Sequence, residues 1–72
     1  MIAMKVPSHR DEVLRERIIK YLRAHGSITN RECREHLGTT YDESIAIFNH
    51  MLARNDIVRL GKSSGTHYEI AP

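Results

Sequence analysis

One cysteine and five histidines are the residues of this 72-residue chain best suited to metal or nucleophilic chemistry. Cys33 and His36 are spaced i, i+3, and Glu32 and His36 are spaced i, i+4, so a helix would bring each pair to one face. A structural zinc site needs four such ligands, and no second pair at zinc-finger spacing follows. Nucleophilic catalysis by Cys33 and His36 lacks a third group to orient the imidazole. No glycine-rich phosphate loop follows a strand. The expectation is therefore no metal, no cofactor and no enzymatic activity.

A second set of polar residues could meet an anion. Lys62, Ser63, Ser64, Thr66 and His67 can all donate to phosphate, and the glycines around them let backbone N–H groups approach closely. A plain solvated turn is the other reading of that segment. Arg31 and Arg34 stand near the start of a short helix; Arg31 could reach phosphate, and a solvated helix face is the equal alternative.

The elements that would position these residues follow from local patterns. Ser8 can cap a first helix, with Asp11 and Glu12 near its positive end. Leu14, Ile18 and Leu22 form one apolar stripe with Tyr21 beside it, while Arg15, Arg17, Lys20 and Arg23 fall mostly outside. Gly26 ends that helix. Ser27-Ile28-Thr29 is short and β-leaning. Thr29 and Glu32 form a capping box, T-x-x-E, and Ile28 and Cys33 occupy the positions of a hydrophobic staple around it. Gly38 closes this second helix after about eight residues. Thr40 and Glu43 form a second capping box almost at once. In the third helix Ile45, Phe48 and Leu52 are expected inward, which turns Glu43, Ala46, Ile47, His50 and Arg54 outward. Asn55 suits a left-handed end. Ile57–Leu60 and Thr66–Ile70 read as two strands joined by a flexible loop, Gly61–Gly65.

Hydrophobic residues at 40% and charged residues at 28% indicate a globular chain rather than a disordered one. A domain of this size buries only about 60% of its unfolded surface, and its core supplies roughly 3–5 kcal/mol. It can carry a binding surface but hardly an enclosed substrate pocket. No apolar run approaches the ~20 residues of a membrane span. Residues 1–7 read as a flexible lead-in too short for a secretory signal, and residues 8–72 as one domain. A lone cysteine rules out an internal disulfide framework, so a cytoplasmic location is expected. The net charge of +2 is compatible with nucleic acid without demanding it.

The ordered set "GSITNRECREHLG", a helix, and "IVRLGKSSGTHYEI" resembles a winged helix-turn-helix domain over residues 10–70. The hairpin is most similar to wings of bacterial and archaeal regulators, and to the small winged domains that end larger ATP-binding or Fic-type proteins. The resemblance implies an α+β fold of three helices with a small antiparallel β-hairpin wing. It also implies that the third helix enters the major groove of double-stranded DNA while the wing touches the backbone or minor groove. Transcriptional regulation, or service as the DNA-binding module of a larger parent protein, would follow, with a homodimer completing a two-part site. The DNA-contacting set would be Arg31, Thr39, Thr40, Glu43, Ala46, Ile47, His50, Arg59, Lys62, Ser63, Ser64 and His67.

The chemistry departs from that pattern on the third helix. Between Thr39 and Asn55, Arg54 stands against Asp42 and Glu43, a net −1. Glu43 could accept from cytosine N4, but its capping role accounts for it without any base. Ala46 and Ile47 suit thymine methyl groups. With Met51 they equally suit an apolar patch for docking another protein, so an interaction or dimerisation module without strong DNA binding is the competing reading.

Overall fold

Three turns of chain are set by residues in the left-handed region, and they divide the protein into its elements. Gly26 (φ 88°), Gly38 (φ 72°) and Asn55 (φ 61°) each follow a helix and turn the chain out of it. The computed structural model describes residues 9–72. The lead-in 1–7 and the expected cap Ser8 lie outside the described residues. Helix α1 runs His9–His25, α2 Asn30–Leu37 and α3 Tyr41–Ala53; strands β1, Ile57–Leu60, and β2, His67–Ile70, close the chain around a 3-10 turn at Ser63–Gly65. The protein is α+β, with three helices and a two-stranded antiparallel hairpin.

Both capping boxes are complete. Glu32 N–H donates to Thr29 Oγ1 at 3.1 Å and Thr29 N–H donates to the Glu32 carboxylate at 2.9 Å. Glu43 and Thr40 repeat the pattern at 3.1 and 2.8 Å. These reciprocal bonds satisfy donors that would otherwise be orphaned at each helix start. They hold both carboxyls below the usual carboxylate range; the backbone N–H of the cap is the main cause in each case.

The core is one cluster. Leu14, Ile18 and Leu22 enter it from α1, Cys33 from α2, Ile47, Phe48 and Met51 from α3, Ile57 from β1, and Ile28 from the segment before α2. Phe48 is fully buried and stacks on Tyr68, ring centroids 4.1 Å apart. The expected staple pair, Ile28 and Cys33, is fully buried in this cluster.

The hairpin pairs Ile57 with Ile70, Val58 with Glu69, Arg59 with Tyr68 and Leu60 with His67. Thr66 therefore precedes β2 rather than starting it. The β-leaning segment before α2 contributes one bridge: Ile28 and Tyr68 exchange backbone bonds of 3.0 and 2.9 Å. Arg15 clamps α1 to the α3–β1 junction through a two-pronged bond to Asp56, at 2.7 and 3.0 Å.

The third helix is turned from the expected orientation by close to one residue's ~100° step. Its buried residues are Ser44, Ile47, Phe48 and Met51, an i, i+3, i+4, i+7 set, whereas Ile45 and Leu52 are only half-buried. The outward placement of Ile47 is thus corrected. The reason is polar: Ser44, fully buried, bonds Thr39 at 2.6 Å, so a serine takes a core position that periodicity assigns to an apolar residue.

Candidate nucleic-acid interface

Three elements meet along one groove. The start of α2 supplies Asn30, Arg31 and Arg34, α3 supplies Tyr41, Ile45 and Asn49, and the hairpin supplies Arg59, Ser63, Ser64, Thr66 and Tyr68. Three arginines line it and no carboxylate does. A concave surface carrying charge of one sign focuses a positive field on an anion.

Each cation is placed by a specific contact. Arg34 Nε donates to Asn30 Oδ1 at 2.8 Å, and its guanidinium lies 5.7 Å from the Tyr41 ring centroid. Asn30 in turn donates to the Tyr41 carbonyl, tying the first turns of α2 and α3 together. Arg31 pairs with Glu35 one helical turn on, at 2.8 Å, with both side chains largely in solvent. Such an exposed pair contributes little and yields readily to phosphate. Arg59 reaches the groove because it faces Tyr68 across the hairpin, and among the described residues no carboxylate pairs with it.

The loop beyond Arg59 contains a 3-10 turn held by backbone hydrogen bonds. Gly65 N–H donates to the Lys62 carbonyl at 2.8 Å and Thr66 N–H to the Ser63 carbonyl at 3.2 Å. Gly61 has φ 79°, and a Cβ there would overlap the Gly65 carbonyl, so the position requires glycine. Ser63 and Ser64 are exposed on the groove wall and Lys62 is exposed beside them.

The other candidate residues separate clearly. Thr39 is buried, with its hydroxyl bonded to Ser44 and 3.7 Å from Cys33 Sγ, so it is structural and offers nothing to a ligand. Thr40 is occupied as the cap of α3. Glu43 both caps α3 and pairs with Arg10, which further lowers its pKa. It is therefore not a bare acid at the helix entry, and Asp42 alone is left in that role. Ala46 is exposed, Ile47 is in the core, and His50 is half-buried with Nε2 enclosed and unpartnered. Arg54 turns away from the groove to Glu12 (3.2 Å) and Asp56 (3.7 Å). His67 Nδ1 donates to the Gly65 carbonyl at 2.8 Å, so this ring holds the hairpin turn rather than facing solvent freely.

Of the three residues expected to form an apolar patch on α3, Ile47 and Met51 are buried and Ala46 alone is exposed. Sequence reasoning missed Thr29, Asn30, Arg34, Tyr41, Ile45, Asn49 and Tyr68 as groove residues. The available signal was the Ser44-Ile47-Phe48-Met51 spacing, which puts Asn49 outward once a serine is allowed into the core. Among the described residues no group of three or more His, Cys, Asp or Glu side chains is arranged to hold a metal, and no helix is long and apolar enough to cross a membrane. Comparison with family models, curated proteins and solved structures returns no match, so the groove's own chemistry carries the functional reading.

Proposed function

We propose that the chain is a winged helix-turn-helix domain that binds double-stranded DNA, with α2 and α3 as the helix pair and the β1–β2 hairpin as the wing. The observation that carries this reading is the shared groove: Arg31 and Arg34, the exposed face of α3, and Arg59 with Ser63 and Ser64 all front one concavity without an acid. Phosphates satisfy the arginine forks, and serine hydroxyls add neutral contacts that fix register. Most of the affinity comes from α2 and the wing, because Arg54 is engaged elsewhere and Asp42 repels phosphate at the start of α3. A regulator, or a DNA-binding module in a larger protein, uses a surface of this size, and a second copy or tandem module completes the site.

Titration against mixed-sequence duplex DNA at about 50 and 200 mM salt tests it. Phosphate contacts numbering about three to five weaken binding roughly 40- to 500-fold over that range through counterion release. Absence of duplex binding at the lower salt overturns the reading.

A further inference from the structure

Resting on the DNA-binding reading above, we infer that Asn49 is the specificity-determining residue of α3 and reads an adenine in the major groove. Three other polar side chains on or beside that helix are already placed. Glu43 is held by Thr40 and Arg10, His50 has its Nε2 enclosed, and Arg54 pairs with Glu12 and Asp56. Asn49 is exposed on the groove, and its carboxamide has no hydrogen-bond partner among the described residues. It projects away from the buried Ser44, Ile47, Phe48 and Met51.

The chemistry selects the base. A carboxamide presents one donor and one acceptor side by side. Adenine offers the complement in the major groove, an N7 acceptor beside an N6 donor. Guanine offers two acceptors, so the Asn49 carbonyl would face O6 without a proton between them. Ile45 lies one helical turn earlier on the same groove wall, about 6 Å along the axis, and presents an apolar surface suited to a thymine methyl group. The preferred site is A·T-containing where α3 docks. The arginines of α2 and the wing hold the flanking phosphates whatever the sequence.

Enrichment of a random duplex pool on the full chain, followed by titration of the enriched duplex, tests this. The expected result is a fixed adenine at one position. Its replacement by 7-deazaadenine, which lacks the N7 acceptor, weakens binding roughly 5- to 150-fold. Asn49→Ala loses that difference while keeping the thermal melting and salt slope of the parent, and Arg59→Ala weakens all duplexes alike. An enriched pool with no fixed adenine, or an Asn49→Ala protein that still discriminates against 7-deazaadenine, overturns the assignment while leaving DNA binding in place. Failure of the parent to retain any duplex at low salt removes the DNA-binding reading, and the role of Asn49 with it.

Discussion

The hydroxyls of Thr39 and Ser44 lie 2.6 Å apart in the interior, and this bond accompanies the rotation that presents Asn49 rather than Ile47 to the groove. Ser44→Ala leaves Thr39 with only the distant Cys33 sulfur and is expected to cost about 1–3 kcal/mol. Thr39→Val combined with Ser44→Ala removes both polar groups and should recover most of that loss. A double-mutant cycle by thermal melting checks the coupling; additive single losses would mean the bond does not stabilise this orientation.

Phe48 anchors α3 to both α1 and β2. Its ring is fully buried and stacked on Tyr68, the residue that also bridges to Ile28. Phe48→Ala is expected to cost roughly 3–5 kcal/mol, comparable to the whole stability of so small a domain. Circular dichroism of the variant should show a largely unfolded chain at ambient temperature. Unchanged melting would displace Phe48 from the centre of the core.

Cys33 is fully buried in the apolar cluster, with Thr39 as its polar neighbour. It is expected to react with a thiol reagent only on the timescale of unfolding, so modification should accelerate with denaturant in step with loss of structure. Zinc bound stoichiometrically by the native protein and lost in Cys33→Ser would make Cys33 a metal ligand rather than a packing residue.

Acid should unfold the protein through a few carboxyls. Glu32 and Glu43 are held down chiefly by the cap N–H groups of Thr29 and Thr40, and Asp56 chiefly by Arg15. A carboxyl whose folded pKa lies below its unfolded value contributes stability that is fully present above the unfolded value, near pH 4. That stability is lost as pH falls through the lower folded value. Melting temperature is therefore expected to be flat, as far as these groups act, from neutral pH to about 5, and to fall below about 4. Asp56→Asn should flatten part of that fall, because it removes one of the titrating groups, while lowering stability at pH 7. An equal acid dependence in the variant would place the effect in other groups.

Arg59 and Lys62 on the hairpin should act without regard to sequence. Arg59→Ala or Lys62→Ala is expected to weaken binding similarly for all duplexes and to reduce the salt slope by about one unit each. Glu43→Gln should tighten binding modestly, since it removes a charge and frees Arg10 while an amide oxygen still caps Thr40. His50→Ala should alter melting more than binding, because its ring is half enclosed beside the core. Loss of duplex discrimination in Glu43→Gln with intact affinity in Lys62→Ala would reverse these roles.

What the sequence determined by itself was whatever depends on neighbours a few positions apart. Thr29 with Glu32 and Thr40 with Glu43 mark both helix starts because a capping box closes within one turn. Gly26, Gly38 and Asn55 mark the ends because the left-handed conformation is a property of a single residue. The α1 stripe was legible for the same reason: Leu14, Ile18 and Leu22 recur at i, i+4 and i+8, and all three are buried. Tertiary structure alone decided the rotation of α3. Burial of Ser44 is favourable only when the Thr39 hydroxyl is folded against it, and no periodicity of apolar residues contains that bond. It also decided the groove. Arg31, Asn49 and Arg59 are far apart in the chain and become neighbours only when the hairpin folds back beside the start of α2, held there by the Ile28–Tyr68 bridge.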